Sequence, residues 1–307
     1  MATIKQVALE AGLSKSTVSR FIAQNGYVSD EARKKIEEAI KKLNFTPNLS
    51  AQSLKTKKNQ LVGLLLPDIS NPFFPMLAKG AEEFLKEKGY RVMLGNIGEN
   101  HQSEHDYLKV LLQSNAAGII STHDFKEEFP DLDIPSVIVD RVGHKSNYGA
   151  FSDNESGGRL AAKVIVEAGA KNVAVVSGSL NATNINNRFK ASIAYLKEKK
   201  VDFKAFYSQS YDFEEIQKEA REVLANKENF DSIIAPSDIH AMAYIHEIHR
   251  LDKKIPEEIQ IIGYDDIQMS QFIYPALSTI HQSAYQMGLE AAQLIYKIAT
   301  DQPIEKS

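Results

Sequence analysis

The fold is most constrained by a regular alternation of short apolar runs and amphipathic helical stretches between residues 61 and 263. The apolar runs predict strands near residues 61–66, 91–95, 117–121, 135–139, 172–177, 203–208, 231–235 and 259–263. The stretches between them predict helices near residues 73–88, 103–114, 156–168, 187–199, 214–226 and 238–250. Strands that alternate with helices form parallel sheets covered on both faces. The four strands before residue 155 and the four after it therefore predict two α/β subdomains, with a ligand cleft at the carboxyl ends of their strands.

The first 60 residues follow a different pattern, that of short amphipathic helices. Thr3, Ser14 and Ser29 precede three helical stretches and are suited to cap them. Pro47 ends the third, and a short fourth helix is predicted over residues 49–55. Two short helices joined by a glycine-containing turn and followed by a third are typical of a helix-turn-helix unit.

Charge divides the chain at the same place. The whole sequence has a net charge of -4, but residues 1–60 carry 11 Lys and Arg against 5 Asp and Glu. A basic module on an acidic body is typical of a polyanion binder attached to a second function. The alternative is chance clustering of charges on a solvated surface.

The second predicted helix contains the side chains that favour DNA as the polyanion. It presents Lys15, Ser16 and Arg20 on one side, whereas Val18 and Phe21 face the core. Lysine and arginine pair with guanine edges, and serine is a tolerant donor or acceptor. The alternative is a three-helix module that binds protein, and the excess of positive charge favours nucleic acid.

Several other classes of function lack their sequence signals. The chain has no cysteine, which excludes disulfides and thiolate chemistry. We find no phosphate loop, no dinucleotide fingerprint and no nucleophile elbow, so we expect neither an enzyme nor a cofactor. His101 and His105, and His246 and His249, have spacings seen in zinc sites, but we expect surface histidines and no metal. The N-terminus has no signal peptide and no apolar run is long enough to span a membrane, so we expect a soluble cytoplasmic protein.

Long motifs identify a family. The runs Thr3–Ala8 and Ala11–Arg20 strongly resemble the head of LacI-type bacterial repressors, and Pro47-Asn48 with Ala51–Lys55 continue the match through that family's hinge helix. In the body, Gly63–Pro75 and Ile259–Ile267 are most similar to family members that respond to ribose. The resemblance covers essentially the whole chain. It implies an N-terminal all-α helix-turn-helix head with a hinge helix, joined to an α/β core of two parallel-sheet subdomains like that of periplasmic sugar-binding proteins.

The resemblance also implies domain boundaries. The head is expected over residues 1–47, the hinge helix and linker over 48–60, and the effector-binding and dimerisation core over 61–307. Within the core, we expect the first subdomain over about 61–155 plus 282–307, and the second over about 156–281. Relatives continue beyond a helix at 284–300 with a strand that returns to the second subdomain, so we expect a truncated chain with an incomplete sheet edge.

By resemblance, a pair of hinge helices, one from each subunit, lies in the minor groove at the centre of the operator. Leu54 would wedge between base pairs and kink the duplex, and Lys55 would add contacts to the groove or the phosphates. The expected DNA-binding residues are Thr3, Lys15, Ser16, Thr17, Ser19, Arg20, Asn48, Ala51, Leu54 and Lys55. The alternative for Leu54 is an ordinary core leucine. A helix this short is marginal alone in water, so it needs support from DNA or a partner.

The cleft is expected to bind a sugar, which needs polar groups at its hydroxyls and an apolar surface against its ring. By resemblance, the effector-binding residues are Phe73, Phe74, Asp140, Arg188, Phe213, Ser237 and Asp265. Relatives often carry asparagine in place of Ser237, and a hydroxyl offers fewer hydrogen bonds than a carboxamide. Asp238 follows a strand end too, where it either binds the effector or caps the next helix.

These features together predict a sugar-responsive repressor that acts as a homodimer on a near-palindromic, double-stranded operator, with ribose or another pentose as effector and no membrane contact. Two alternatives stay open, a catabolite regulator with a phosphocarrier protein as corepressor and a repressor for another sugar such as sucrose. The head and the lack of a signal peptide disfavour a secreted sugar-binding protein for transport, and the lack of a phosphate loop disfavours a sugar kinase.

Overall fold

The computed structural model describes residues 2–22, 26–45, 59–98, 103–125, 129, 133–141, 148–178, 183–208, 212–225 and 229–304. The chain separates into two compact units. The smaller unit is Met1–Asn59 with Gln113–Asn115, and the larger is Gln60–Leu112 with Ala116–Ser307. The predicted fourth helix at 49–55 lies outside the described residues.

The small unit contains the three predicted helices, α1 (Ile4–Ala11), α2 (Lys15–Ile22) and α3 (Asp30–Lys42). Thr3 caps α1 because its side chain accepts a hydrogen bond from the Gln6 amide, and the Thr3 amide donates a second one to Gln6 Oε1 at 2.8 Å. Gly12 ends α1 with a φ of 66°, a left-handed conformation that glycine adopts without strain. The three helices bury a common apolar core that includes Val7, Val18 and Ile36, each 0% exposed.

The large unit alternates strands and helices as predicted. Its first part runs β1 (Asn59–Leu66), α4 (Phe73–Glu87), β2 (Arg91–Asn96), α5 (Glu104–Gln113), β3 (Ala116–Ser121), β4 (Ser136–Val139) and β5 (Gly149–Ala150). Its second part runs α6 (Asn154–Glu167), β6 (Asn172–Ser177), α7 (Thr183–Lys199), β7 (Asp202–Tyr207), α8 (Phe213–Leu224), β8 (Ser232–Ile234), α9 (Asp238–Arg250), β9 (Gln260–Asp265), a 3₁₀ turn (Gln268–Gln271), β10 (Ser278–His281) and α10 (Ala284–Ala299).

The strands form two five-stranded sheets, which confirms the predicted two α/β subdomains. The orders are β2-β1-β3-β4-β5 and β10-β9-β8-β6-β7. Read from the opposite end, the second sheet has the same topology as the first. The paired strands run parallel, for example Val62 opposite Val92 and Val175 opposite Ile234. Below, the first lobe means the sheet β1–β5 with its helices, and the second lobe means the sheet β6–β10 with its helices.

Two strands were missing from the sequence prediction. β5 has two residues and β10 has four, and each forms the outer edge of its sheet. A strand this short carries no alternating pattern, and three of the four β10 residues are polar, so neither segment resembles a strand in isolation. After β10 the chain returns to the first lobe, where α10 packs against α4.

Among the described residues, no helix is both long enough and apolar enough to cross a membrane.

Candidate effector pocket and DNA-reading helix

A pocket lies between the two lobes, where the carboxyl ends of both sheets meet. The first lobe supplies side chains that follow β1 and β4, and the second lobe supplies side chains from α7 and from the ends of β8, β9 and β10. The lining residues are Asp68, Asn71, Phe73, Phe74, Asp140, Arg141, Arg188, Pro236, Ser237, Asp265 and Gln282. Its volume is about 30 Å³, room for one or two water molecules. The lobes or the lining side chains must therefore move apart before a sugar can enter.

Arg188 is the buried cation of this pocket, and its position is fixed on several sides. Its Nε donates to Asn154 Oδ1 at 2.8 Å, and its Nη1 donates to the Pro236 carbonyl at 3.1 Å. The guanidinium lies over the ring of Tyr264, with Cζ 3.7 Å from the ring centroid. A planar guanidinium stacks on an aromatic face while it keeps its donors in the plane. The fork is therefore held rigidly at the pocket wall.

Asp265 is the carboxylate that faces this cation. Its Oδ1 is 3.8 Å from Arg188 Nη1 and accepts a hydrogen bond from Gln282 Nε2 at 3.3 Å. Burial raises the pKa of Asp265 well above its ordinary value, the Arg188 charge acts in the opposite direction, and Asp238 and Asp140 add to the rise. The backbone φ of Asp265 is 110°, a conformation that few residues other than glycine adopt. Strain of this kind is retained where a side chain must point in one direction.

The first lobe supplies the apolar wall and a second carboxylate. The rings of Phe73 and Phe74 are 5.2 Å apart in an edge-to-face arrangement at the start of α4, and both are buried. Asp140 follows β4 with a φ of 66° and is 7% exposed. The structure thus brings six of the seven predicted effector residues to one pocket, since Ser237 also lines it.

Phe213 is the predicted effector residue that the structure does not bring there. It is the first residue of α8 and is 61% exposed, and it is not part of the pocket lining. The cap of α8 is its neighbour Asp212, which accepts hydrogen bonds from the amides of Glu214 and Glu215.

Asp238 neither caps α9 nor lines the pocket. The cap of α9 is Ser237, which accepts a hydrogen bond from the His240 amide. Asp238 instead accepts hydrogen bonds from the Ile267 amide at 2.8 Å and from the Ser270 hydroxyl at 2.7 Å, and it also binds Thr279. It is fully buried and fastens the segment after β9 to the start of α9.

Several residues around the pocket had been missed. Gln282 is 4% exposed, and its Oε1 accepts no hydrogen bond from the described residues, which leaves an acceptor at the pocket wall. Asn154 holds Arg188 from the start of α6. Gln282 follows the unpredicted strand β10, and no local pattern marks Asn154. The remaining lining residues lie just after predicted strand ends, and this place in the sequence could have identified them. They are Asp68, Asn71 and Arg141.

In the head, the predicted reading residues lie on and before α2. Lys15, Ser16 and Arg20 are exposed, whereas Thr17 and Ser19 are partly buried. The Ser14 hydroxyl accepts from the Thr17 amide at 3.1 Å and is 2.7 Å from the Ser16 hydroxyl. Thr3 is exposed at the start of α1. The predicted hinge residues Asn48, Ala51, Leu54 and Lys55 lie outside the described residues.

The histidine spacings do not assemble a metal site in the described part of the chain, where no group of three His, Asp or Glu side chains is arranged to hold an ion. The His105 ring instead lies 5.8 Å from the ring of Phe129. His101 lies outside the described residues.

Comparison with known proteins gives two family matches. The model of bacterial regulatory proteins of the lacI family matches residues 3–48, and that of the periplasmic binding protein domain matches residues 62–303. A ribose operon repressor from Lactococcus lactis subsp. lactis (strain IL1403) is 93% identical over 307 residues, which cover 100% of this chain and 94% of that protein. A ribose operon repressor from Bacillus subtilis (strain 168) is 41% identical over 309 residues, with the same coverage of 100% and 94%.

Solved structures show the same fold. The Lac repressor dimer bound to operator and an anti-inducer has a TM-score of 0.87 at 21% identity, covering 99% of this chain and 94% of that one. A periplasmic binding protein/LacI transcriptional regulator from Alkaliphilus metalliredigens QYMF, complexed with D-xylulofuranose, has a TM-score of 0.73 at 28% identity, covering 80% of this chain and 93% of that one.

Proposed function

The chain belongs to the LacI family of bacterial regulatory proteins, and we propose that it represses a ribose uptake and utilisation operon until ribose or a close derivative releases it from operator DNA. The observation that carries this proposal is the 93% identity to a ribose operon repressor over the whole chain. The pocket supports a sugar effector, because a buried arginine and carboxylates converge there beside an aromatic wall.

We propose a pentose as the effector class. The carboxylates of Asp140 and Asp265 can each accept hydrogen bonds from sugar hydroxyls, and the fork of Arg188 can donate to neighbouring oxygens. Phe73 and Phe74 can cover a ring face. The related regulator complexed with D-xylulofuranose, itself a five-carbon sugar, supports this size of ligand.

DNA recognition is assigned to the head. Lys15, Ser16 and Arg20 on the exposed side of α2 contact bases, with Thr3, Thr17 and Ser19 alongside them. The hinge, with Asn48, Ala51, Leu54 and Lys55, lies in the minor groove. We propose a head of residues 1–47, a hinge of 48–60 and a core of 61–307, acting as a homodimer in the cytoplasm on a two-fold symmetric operator.

Release follows from a change in the angle between the lobes. The narrow pocket with its lining from both lobes supports the proposal that an occupied pocket has a different lobe arrangement from an empty one. Ribose shifts the equilibrium only if it binds the two arrangements with different affinity. Movement of the first lobe at the dimer interface would separate the two hinge helices, which are too short to persist alone.

Calorimetric titration with a panel of pentoses and hexoses tests the effector class. We expect ribose to bind more tightly than the hexoses, and we expect the Asp265→Asn variant to bind ribose at least about 30-fold more weakly than the wild type. Tight binding of a hexose with no heat from ribose would overturn the assignment of a pentose. Sedimentation equilibrium on the same protein tests the homodimer, and a monomer at micromolar concentration would contradict it.

A further inference from the structure

The turn that follows β9 places two consecutive residues in a backbone conformation that favours glycine. Asp265 has a φ of 110° and Asp266 has a φ of 56°. Residues with side chains keep such a conformation only where the surrounding structure fixes the backbone from several sides. The groups that hold this turn therefore also decide where the Asp265 carboxylate points.

Both amides that follow Asp265 are held by one carboxylate, that of Asp238 at the start of α9. The Ile267 amide donates directly to Asp238 Oδ2 at 2.8 Å. The Asp266 amide donates to the Thr279 hydroxyl at 3.3 Å, and this hydroxyl donates to Asp238 Oδ1. An amide can only donate, so the Thr279 oxygen accepts from it and the single hydroxyl proton is left for the carboxylate.

The Asp238 carboxylate is buried and held on both oxygens. The side chain is 0% exposed, and the Ser270 hydroxyl is a third donor, 2.7 Å from Oδ2. Burial raises the pKa of Asp238, and the hydrogen bonds from Thr279, Ser270 and the Ile267 amide oppose that rise because they stabilise the charged form. A buried acceptor with three donors has little freedom to turn.

The space for this carboxylate comes from a glycine in β9. β10 pairs with β9 so that Thr279 lies opposite Gly263. A Cβ added to Gly263 would overlap Asp238 Oδ1, and the three hydrogen bonds prevent the carboxylate from moving aside. The glycine thus lets the first residue of α9 reach the hydroxyl of the edge strand and the turn beyond Asp265.

The carbonyl of the turn is held from the other side by the residue that follows β10. The Gln282 amide donates to the Asp265 carbonyl at 3.3 Å, and the Gln282 side chain donates to Asp265 Oδ1. Gln282 lines the pocket, whereas Asp238 and Thr279 lie behind it. The support that does not line the pocket is therefore the one made by Asp238.

We infer that Asp238 is a positioning residue, which holds the backbone after Asp265 so that the Asp265 carboxylate faces Arg188 and the effector. The inference deepens the proposed function and rests on it for the identity of the sugar. Asp238 acts through two amides and the Thr279 hydroxyl. A binding group is effective only when such supporting hydrogen bonds fix its direction, so breaking them should lower effector affinity.

The first test needs no sugar. Thr279→Val keeps the shape of threonine but lacks the hydroxyl, so the Asp266 amide loses its acceptor. In a crystal structure of the full-length variant without ligand, we expect the φ of Asp265 to leave the left-handed region. We also expect its carboxylate to move away from its position 3.8 Å from Arg188 Nη1. The wild type in the same crystal form is the reference, and an unchanged Asp265 overturns the inference whether or not ribose is the effector.

The second test compares ribose affinity with stability. Thr279→Val should bind ribose on the order of 10-fold more weakly than the wild type, because a turned carboxylate leaves a buried partner unpaired. Thr279→Ser keeps the hydroxyl and should retain the wild-type affinity. Ser270→Ala is the matched control, since it removes a donor from the same carboxylate and leaves both amide contacts in place. It should lower the free energy of unfolding without changing ribose affinity, as calorimetry and denaturant unfolding measure.

The outcomes separate positioning from folding. Wild-type ribose affinity in a folded Thr279→Val overturns the inference, and so do equal losses of affinity in Thr279→Val and Ser270→Ala. If Thr279→Val does not fold, Asp238→Asn takes its place in both tests, because it keeps the shape of the side chain and replaces one acceptor oxygen by an NH₂ group. Absence of any ribose heat in the wild type overturns the proposed effector instead and leaves the crystal structures to decide the role of Asp238.

Discussion

Asp265 is buried, faces the Arg188 cation and has a left-handed backbone conformation. The substitution made at Asp265 therefore decides whether an experiment tests its charge or its backbone strain. Its φ of 110° makes an alanine variant strained, whereas asparagine tolerates that region and has the same shape. Asp265→Asn should therefore keep the fold and lose the charge that faces Arg188. We expect ribose affinity to fall by at least about 30-fold, the cost of unpairing one buried charge. Calorimetry measures this loss.

The control for that experiment is operator binding without sugar, which Asp265→Asn should leave unchanged. Asp265 lies in the large unit, and none of the proposed DNA contacts involves it. If operator affinity falls in parallel with ribose affinity, Asp265 is a folding residue and its assignment to the effector fails.

In the head, Arg20 is the residue whose substitution tests DNA recognition. It is exposed near the end of α2. If it reads a base edge, Arg20→Ala should cost about 1–3 kcal/mol of specific binding and relax the sequence preference. Lys35→Ala is the matched control, since that lysine pairs with Glu31 on α3 at 2.7 Å. Titration of each variant against operator DNA and against scrambled DNA measures the two affinities. If Arg20→Ala and Lys35→Ala weaken binding to both DNAs equally, Arg20 is only a general electrostatic contact.

At the scale of residues, the sequence predicted what lies at strand ends and missed what depends on distant packing. Asp140 and Asp265 follow predicted strands, so their convergence was foreseeable. Asn154 was not, because its role depends on Arg188, 34 residues away. Phe213 was assigned by resemblance alone, and the structure leaves it 61% exposed and outside the pocket lining.

Among the elements, α6 positions the pocket cation by close contact with α7. An added Cβ at Gly158 would overlap the backbone carbonyl of Arg188, and one at Gly157 would overlap the hydroxyl of Tyr264. Gly158→Ala must therefore push the two helices apart. We expect the free energy of unfolding to fall by about 1–3 kcal/mol and ribose affinity to fall with it. Denaturant unfolding and calorimetry measure the two effects.

Lys163→Ala is the control for this prediction, because Lys163 lies on the same helix with its side chain 50% exposed. It should change neither quantity. A Gly158→Ala protein with lowered stability and wild-type ribose affinity would show that α6 supports the fold without positioning Arg188.

The hinge element is predicted from the sequence and the family resemblance. Leu54→Ala should weaken operator binding, because the apolar wedge that holds the kinked duplex is shortened. Ribose affinity should stay at the wild-type value, since Leu54 belongs to the proposed hinge and is not one of the residues that line the pocket. Operator titration and calorimetry on the same preparation check this. Parallel loss of both affinities would instead make Leu54 a core leucine.

Elements with a long periodic pattern were predicted well, and short edge elements were not. The predicted strand at 172–177 coincides with β6, and the predicted helix at 238–250 coincides with α9. α7 begins at Thr183, four residues before its predicted start at 187. β5 and β10 form only because a neighbouring strand offers them an edge, which is a tertiary effect that no local pattern carries.

In the large unit as a whole, the repeated topology explains why ligand binding in one pocket can be coupled to a movement of the two lobes. Two sheets of the same strand order present their carboxyl ends to a shared cleft, and the chain passes from the first lobe to the second after β5 and returns after β10. The contacts of a ligand that reaches Arg188 in one lobe and Phe73 in the other would therefore depend on the angle between the lobes. The pocket volume of about 30 Å³ is too small for a sugar, so this angle or the positions of the lining side chains must change on binding.

The central claim is that occupancy of this pocket by a pentose lowers affinity for DNA. Its most direct test is a titration of labelled operator DNA with the full chain, with and without saturating ribose, alongside Asp265→Asn. We expect ribose to weaken operator binding by the wild type on the order of 10-fold or more, within the usual range of allosteric coupling, and to leave the variant unchanged. The same operator affinity across all ribose concentrations in a wild type that binds ribose by calorimetry would contradict the account.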